Sequence, residues 1–396
     1  MIKKFQSIFS IMCVFFIVKG QHREVVPYID FLQKQQVHSV DYIFQLFEKY
    51  DIVILGERDH RDILQYELIE KIISDNRFIE NVGNIFTEVG MYNRTEWANR
   101  ILKNQYRSYA DFENELRLLY RELDYDMIWD KYNFWAFLSS IYRINTRLQP
   151  SQKINLFFTD VSFDWNSCLS REDWITLAPI YNGFYRDSIM GSNMISAYNN
   201  ILKNEKETRK KALVIFNRPH SYQFYIDDDN KNIRSAASYI FEKFAERVAN
   251  VMINWWSPQK NGEDRLIASG KWDAAFLSLN NPQLGFDFID SPFGVDKFDH
   301  YSIRPLENVK YQDVYTGFVF YGGITSWNFV IGIPGIIDDE FGAEYLRRYK
   351  IFKPDIKTSL DEESSYYNTV RSNNAFGGDN KMKKRIEKKI NYWLKE

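Results

Sequence analysis

The sequence contains little cysteine, little net charge and no long apolar run after its first twenty residues. Only Cys13 and Cys168 are present, and Cys13 lies in the apolar N-terminal stretch. One remaining cysteine can form neither an internal disulfide nor a cysteine-based zinc site. A net charge of −2 excludes a global attraction to nucleic acid or to anionic membranes. No G-x-S-x-G motif occurs, and Cys168 has no partnered motif, so a serine or cysteine nucleophile is not indicated.

The first twenty residues have the pattern of a secretory signal peptide. Lys3 and Lys4 precede an apolar stretch at 9–18 that is too short for a transmembrane span. Small residues, Val18 and Gly20, stand where a signal peptidase would require them. We therefore predict cleavage before residue 21 and an exported protein, periplasmic or secreted, with no transmembrane segment in the mature chain.

Short apolar segments that are rich in β-branched and aromatic residues predict buried strands. They are apolar throughout rather than alternating, which is typical of strands that are covered on both faces. The segments are DIVILG (51–56), NIFTEVG (84–90), KINLFFTDVS (153–162), KALVIFN (211–217), VANVMINWW (248–256) and VYTGFVFYGG (314–323). Longer segments with helical spacing separate them, at 63–73, 132–148, 186–203 and 234–248. This alternation predicts an α/β fold with a mostly parallel central sheet that is flanked by helices.

The same patterns divide the chain into regions. We expect a signal peptide (1–20), one α/β domain (21–355) with a helical insertion after the second strand (about 95–147), a polar linker (356–380) and an amphipathic C-terminal helix (381–396). The turn-rich segment from residue 281 predicts a long surface loop. The C-terminal helix is expected to dock by one apolar face, with binding to a membrane surface or a partner as the alternative.

Polar side chains stand at the ends of four predicted strands. Ligands of an open parallel sheet bind beyond the carboxyl ends of its strands. The side chains at these positions are Glu57 and His60, Glu88, Asp160, and Asn217, Arg218 and His220. Each taken alone is explained by a cap or a loop residue. Two of the five histidines fall at matching strand ends near a carboxylate or an arginine, which predicts a shared site.

Such a cluster supports two kinds of water activation. A histidine whose tautomer is fixed by a carboxylate is a general base, and a second carboxylate can orient a water or protonate a leaving group. His60, Glu88 and His220 could equally hold a divalent transition metal with an open water position. The residue types alone do not separate these two chemistries.

VILGERDH resembles the G-E-x-x-H motif of the erythromycin esterase-like proteins, which share a superfamily with the ChaN-like haem-binding proteins and the Tiki/TraB family. In that superfamily the motif follows the first strand, a Glu ends the second strand and a His ends a later one. Glu88 and His220 match these places, and Asp160 matches an Asp that follows the third strand. The resemblance covers roughly residues 45 to 325 and implies the fold stated above.

RDSIMGSNM is similar to a helix pattern of the same superfamily, R-D-x-x-M-A-x-N. On this match the resemblance implies site roles for Arg186 and Asp187, and it also covers Met190 and Asn193. The chain departs from the erythromycin esterases in three places. Arg61 replaces a Gly, Leu64 replaces a Glu, and Asn217 stands near the place of a second His. These departures count against hydrolysis of a macrolide ester.

Three hypotheses follow for the function. The first is a hydrolase of an ester, lactone or amide, with Glu57, His60, Glu88, His220 and Arg186 as catalytic groups and Asp160, Asp187 and Asn217 as substrate-binding groups. The second, implied by the ChaN-like branch, is a protein that binds haem or another metal complex without catalysis. The third is an interaction protein on the same fold, for which the loop around SPFGVDKFDHY and His300 is the candidate surface.

Overall fold

The structure of the protein is a computed structural model. It describes residues 22–126, 128, 131–181, 185–223, 226–228, 231–257, 265–299, 308–374, 376 and 379–395. The predicted signal peptide and His300 lie outside these residues. Within the described residues, no helix combines the length and the apolar character that crossing a membrane requires.

The strands of the described residues form one large sheet and three short ribbons. In chain order they are β1 (Ile52–Glu57), β2 (Asn84–Met91), β3 (Asn155–Asp160), β4 (Ala212–Asn217), β5 (Ile226–Asp228), β6 (Lys231–Ile233), β7 (Val248–Ile253), β8 (Trp256–Ser257), β9 (Arg265–Leu266), β10 (Gly285–Asp287), β11 (Gly317–Val319), β12 (Asn328–Ile331) and β13 (Arg371–Asn374).

The large sheet has seven strands in the order β10-β11-β7-β1-β4-β2-β3. All neighbours in it are parallel except β10, which runs antiparallel to β11 at one edge. The six predicted strands correspond to β1, β2, β3, β4, β7 and β11, and the predicted α/β fold class is confirmed.

Helices connect the strands and cover both faces of the sheet. They are α1 (Val26–Leu32), α2 (Ser39–Lys49), α3 (Ile63–Ser74), α4 (Asn76–Asn81), α5 (Thr95–Lys103), α6 (Tyr109–Arg121), α7 (Tyr132–Asn145), α8 (Arg171–Tyr181), α9 (Tyr185–Lys203), α10 (Ala236–Phe244), α11 (Lys271–Ser278), α12 (Tyr311–Val314), α13 (Asp339–Phe352), α14 (Leu360–Asn368) and α15 (Asn380–Trp393). The four helices predicted from spacing correspond to α3, α7, α9 and α10. Between β2 and β3 lie α5, α6 and α7.

Alternate residues of each central strand enter different layers of the core, because successive side chains of a strand point to opposite faces. In β1, Val53 and Leu55 pack with the apolar side chains of α2, α3 and α7. Ile52 and Ile54 pack with those of α9 and α10 on the other face. All six residues of β1 are buried, which explains why its sequence shows no alternation.

The segment from residue 281 differs from the predicted surface loop. It contributes β10 to the sheet, and four of its phenylalanines are buried: Phe286, Phe288, Phe293 and Phe298. Phe288 and Phe293 pack against Trp272, with ring centroids 5.9 and 5.2 Å from that of the tryptophan, and all four phenylalanines belong to the same apolar cluster. The segment was predicted as a surface loop because it is rich in turn-forming residues, and its buried phenylalanines are too scattered to form an apolar pattern.

The segment predicted as a polar linker also differs from expectation, because it holds α14 and β13. Ser359 and Glu362 form a capping box at the start of α14. The Asn368 side chain donates to the Ile337 carbonyl oxygen at 2.8 Å and accepts from the Ile337 N–H at 2.9 Å. These polar contacts order a segment that has few apolar residues.

Gly56 is a position where a side chain would disturb the sheet beneath the strand ends. A Cβ atom there would lie 2.9 Å from Ser221 Oγ and 3.1 Å from the Val251 carbonyl oxygen. Ser221 cannot easily move, since its Oγ donates to the Arg218 carbonyl oxygen at 2.8 Å. We expect Gly56→Ala to lower the free energy of unfolding by about 1–3 kcal/mol, measured by urea denaturation.

The matched control for this prediction is Gly323→Ala. The three atoms nearest to its Cβ would be side-chain atoms of Asn281, at 3.2 to 3.3 Å, and a side chain can shift where the backbone of a strand cannot. We expect a change within about 0.5 kcal/mol. Equal effects of the two substitutions would contradict a specific close approach at Gly56.

Candidate active site

The carboxyl ends of β1, β4, β2 and β3 lie side by side at one edge of the sheet, because these strands are adjacent and parallel. This edge brings together all eight side chains that the sequence predicts for the site: Glu57, His60, Glu88, Asp160, Arg186, Asp187, Asn217 and His220. We call this group the strand-end cluster. It contains four carboxylates, one guanidinium, two imidazoles and one amide.

Glu57 and His60 form the first pair of the strand-end cluster. His60 Nδ1 lies 3.0 Å from Glu57 Oε2, and the two side chains are 14% and 1% exposed. Glu57 Oε1 accepts a hydrogen bond from Gln65 Nε2 at 3.2 Å. Burial and the Glu57 carboxylate raise the pKa of Tyr66 well above its usual value, so its phenol stays neutral. Glu57 is thus held from the α3 side while its other oxygen faces His60.

A buried ion pair fixes the turn that carries His60. Arg58 Nε lies 3.2 Å from Asp62 Oδ2, and both side chains are completely buried. Arg58 Nη2 also donates to the Tyr321 carbonyl oxygen at 2.7 Å, and Asp62 caps α3 by accepting from the Leu64 N–H. The turn is therefore tied to α3 on one side and to the end of β11 on the other, which restricts the direction of His60.

Glu88 lies at the centre of the strand-end cluster. Its Oε2 accepts the Asn217 backbone N–H at 2.7 Å, and its Oε1 lies 3.5 Å from both Arg186 Nη2 and His220 Nε2. Burial alone would raise the pKa of Glu88. The positive charges of His220, Arg186 and His60, with the Asn217 hydrogen bond, outweigh burial and lower the pKa to about 2. Glu88 is therefore a carboxylate at any physiological pH.

A break in the β2–β3 ladder surrounds Glu88. The register of the pairing shifts between Thr87 and Met91, and Gly90 has a φ of +103°. Such irregularities re-aim side chains at the ends of strands and occur often beside active sites. A left-handed backbone at Gly90 favours glycine.

Asp160 and Arg186 form a two-pronged ion pair next to Glu88. Arg186 Nε and Nη2 each donate to a different oxygen of Asp160, both at 2.9 Å. Arg186 lies in the first turn of α9, so Asp160 joins the end of β3 to the start of this helix. Asn193, about two helical turns further on, donates to the Thr159 carbonyl oxygen at 2.9 Å. Arg186 and Asn193, two residues of the RDxxMGxN pattern, thus fasten α9 to the end of β3.

His220 completes the strand-end cluster from the short helix that follows β4. Its Nδ1 lies 2.8 Å from Asp187 Oδ1, and this same oxygen accepts the Ala236 N–H at 2.7 Å. Burial favours the neutral ring, but Glu88 and Asp187 outweigh it and raise the pKa of His220. Asp187 thus orients one ring nitrogen while the other faces Glu88.

Asn217 acts as a connection between strands. Its backbone N–H binds Glu88, and its Nδ2 donates to the Arg58 carbonyl oxygen at 2.6 Å. The amide therefore joins β4 to the turn that follows β1, and its Nδ2 is engaged by this contact rather than directed to an open substrate position.

The sequence analysis missed residues that support or adjoin the cluster: Arg58, Asp62, Gln65, Tyr66 and Asp124. Asp62 carries a detectable signal, since an Asp before a helical pattern is a common N-cap. Asp124 carries none. Burial, and then the Asp160 charge, raise its pKa to about 7, and it comes from the loop after α6.

The proposed metal ligands do not form a metal site. Among the described residues, no group of three or more His, Cys, Asp and Glu side chains is placed to hold a metal ion. Arg186 lies 3.5 Å from the same Glu88 oxygen that a metal would need, and its positive charge would oppose a dication there. The metal set of His60, Glu88 and His220 is therefore not supported by the donor geometry, and we derive no step through a metal.

Searches against known proteins give matches only among solved structures. No family model and no curated protein matches the chain. A Bacillus cereus protein from structural genomics matches with a TM-score of 0.45 and 12% identity, over 75% of this chain and 97% of that one. The erythromycin esterase EreC, in an open conformation, matches with a TM-score of 0.38 and 10% identity, over 76% and 96%.

The haem-binding ChaN of Campylobacter jejuni matches with a TM-score of 0.30 and 12% identity, over 54% of this chain and 86% of that one. The search thus returns structures from both branches that the sequence motifs resemble. At these identities the likeness concerns the fold, and the TM-scores carry no inference about function.

The charge environment predicts an unusual titration of His60. Burial would lower the pKa of this ring, but Glu57 first, and then Glu88 and Asp59, outweigh it and raise the pKa to about 9. We expect a histidine-selective NMR titration to show His60 still protonated at pH 8. Glu57→Gln should lower the His60 pKa, because it removes the nearest negative charge.

This titration has a consequence for stability. Because the folded-state pKa lies above the value of 6.5 for a free histidine, the Glu57–His60 interaction stabilises the fold fully below pH 6.5. That contribution is lost as the pH rises through about 9. A His60 pKa at or below 6.5 in the native protein would contradict the described pairing.

Proposed function

We propose that this protein is an exported hydrolase that cleaves an ester, lactone or amide bond of a small molecule by histidine–carboxylate water activation. The observation that carries the proposal is the His60–Glu57 contact of 3.0 Å beside the buried Glu88 carboxylate. Export is proposed from the signal-peptide pattern of residues 1–20.

In the proposed reaction, neutral His60 accepts a proton from water through Nε2, while Glu57 holds Nδ1. The water oxygen attacks the carbonyl carbon, and negative charge develops on the carbonyl oxygen. The imidazolium that forms is stabilised by the Glu57 and Glu88 carboxylates, the same charges that raise the pKa of His60. His60 then returns the proton to the leaving oxygen or nitrogen as the carbonyl is restored.

Arg186 and His220 supply positive charge next to Glu88, since Arg186 Nη2 and His220 Nε2 each lie 3.5 Å from Glu88 Oε1. Both side chains keep some exposure, 19% and 16%, so a substrate oxygen can approach them. Asp160 and Asp187 hold the two cations in place, at 2.9 and 2.8 Å. Preorganised donors of this kind stabilise a developing oxyanion without having to reorient during the reaction. In this assignment Asp160, Asp187 and Asn217 position other groups.

The haem-binding alternative is disfavoured at His220, because both of its ring nitrogens face carboxylates: Nδ1 lies 2.8 Å from Asp187 and Nε2 lies 3.5 Å from Glu88. A histidine that ligates haem iron needs one ring nitrogen available to the metal. This alternative stays a prediction, and the absence of a Soret band on titration with haem would contradict it.

The role of His60 can be tested with a panel of esters, lactones and amides. We expect His60→Gln to lower kcat/KM by about 10²- to 10⁴-fold, the range for loss of a general base. The matched control is His38→Gln, because His38 is exposed at the start of α2 and makes no side-chain cap contact. Circular dichroism should show both variants folded. No turnover on any panel member, or equal turnover of both variants, would contradict the proposal.

The pH dependence of turnover gives an independent test. If neutral His60 is the base, kcat/KM should rise about tenfold per pH unit from pH 6.5 and level off near pH 9. In Glu57→Gln the plateau should begin at lower pH, with a lower maximal rate, because the ring is then a weaker base. A profile that falls between pH 7 and 9 would show that protonated His60 is the active form and would overturn the base assignment.

A further inference from the structure

Among the described helices and strands, the C-terminal helix α15 has the highest net positive charge. Its fourteen residues contain six basic side chains and one acidic side chain. The helix therefore has a net charge of +5, whereas the rest of a chain with a total of −2 has −7. A single charge-dense helix on a negative body is unlike the interspersed charge of an ordinary solvated surface.

The apolar face of α15 is already used inside the protein. Ile386 and Ile390 are only 2% and 4% exposed and pack in the same apolar cluster as α11. Near the end of the helix, Trp393 Nε1 donates to the Ser269 carbonyl oxygen at 2.9 Å. The helix is therefore fixed to the body, and its basic face is directed outward. Because its apolar residues are buried in the protein, α15 cannot insert an apolar face into lipid.

A groove of about 650 Å³ opens beside this basic face. Three cationic side chains and two aromatic rings line it, together with Leu266, Ser269 and Asp299: Arg385, Lys388, Lys389, Tyr392 and Trp393. Asp299 adds one carboxylate against these three cations, and it accepts hydrogen bonds from the Tyr311 hydroxyl at 2.6 Å and from the Ala268 N–H at 2.9 Å. The groove thus offers positive charge next to aromatic surface.

The backbone around Ser269, which lines the groove, has an unusual conformation. Ala268, Ser269 and Gly270 are three consecutive residues with positive φ, at 46°, 55° and 90°. Residues without glycine's freedom adopt this region rarely, and the surrounding structure must hold them there. The Ala268–Asp299 and Trp393–Ser269 hydrogen bonds supply that restraint and so tie the shape of the groove to α15.

We propose that α15 and its groove form a docking surface for a membrane whose lipids carry anionic phosphate headgroups. The helix presents its cations along about 21 Å of one exposed side, which suits a flat, extended anionic surface. Tyr392 is 57% exposed at the end of the helix, and tyrosine is favoured at the headgroup level. The positive charge of α15 complements an anionic membrane surface. The rest of the protein is net negative and would repel a long polyanion that wrapped around the protein.

This inference is independent of the hydrolase proposal, because α15 contributes no residue to the strand-end cluster. It also fixes the mode of binding. With Ile386 and Ile390 facing inward, the attachment is electrostatic and peripheral, so it must be reversed by salt. Screening reduces the reach of surface charges from about 10 Å at 0.1 M salt to about 3 Å at 1 M.

The test is co-sedimentation of the mature protein with vesicles. One set is phosphatidylcholine alone, and the other contains about one third phosphatidylglycerol. The variant Lys384→Gln/Lys388→Gln/Lys389→Gln removes three exposed charges of α15. The matched control, Lys34→Gln/Lys203→Gln/Lys243→Gln, removes three exposed charges from other parts of the surface. Turnover and thermal melting of both variants should equal those of the wild type.

We expect binding only to the anionic vesicles, a loss on the order of a hundredfold in the α15 variant, and a change of less than about twofold in the control. Raising the salt from about 0.05 to 0.5 M should release the bound protein. Three results would overturn the proposal: no binding to anionic vesicles at low salt, equal losses in the two variants, or binding to soluble heparin or inorganic phosphate without binding to vesicles.

Discussion

The buried carboxylate of Glu88 is the charge on which the candidate site depends. It lies in β2, directly after the regular pairing ends at Thr87, between three cationic groups, and neither it nor they would be stable in the interior without the others. A hydrogen bond from the Asn217 backbone and a break in the β2–β3 ladder place it there. Glu88 raises the pKa of both His60 and His220, and these two rings together with Arg186 lower the pKa of Glu88, so the ionisation of Glu88 is coupled to that of the two histidines.

The order of the strands makes this cluster possible. The four contributing strands come from widely separated parts of the sequence, but they are adjacent and parallel, so their carboxyl ends converge. The helices that leave those ends add the remaining groups: α3 holds the turn with His60 through Asp62, and α9 brings Arg186 and Asp187. The sheet determines where the polar groups meet, and the first turns of the helices determine how they are oriented.

Sequence patterns alone predicted the sheet and the polar residues at the strand ends, since buried parallel strands are continuously apolar and their polar ends stand out. Arg186 and Asp187 came instead from the resemblance of RDSIMGSNM to a superfamily helix pattern, and the roles of all eight residues stay predictions. They failed where order comes from polar contacts or from scattered aromatics. Asn368 and the Ser359–Glu362 box order α14 without an apolar stripe, and Phe286 and Phe293 are separated by turn residues. The Arg58–Asp62 pair was missed for a different reason: a charged residue in the interior is visible only once its partner and its burial are known.

The contacts of Asn217 have a consequence for the engineering of this site. Its side-chain amide joins β4 to the turn after β1 by donating to the Arg58 carbonyl oxygen, while its backbone N–H holds Glu88. An imidazole at this position would have to keep the bond to Arg58 from a longer, differently shaped ring while it added another titrating group next to Glu88. Asn217→His would therefore require compensating changes in the turn after β1.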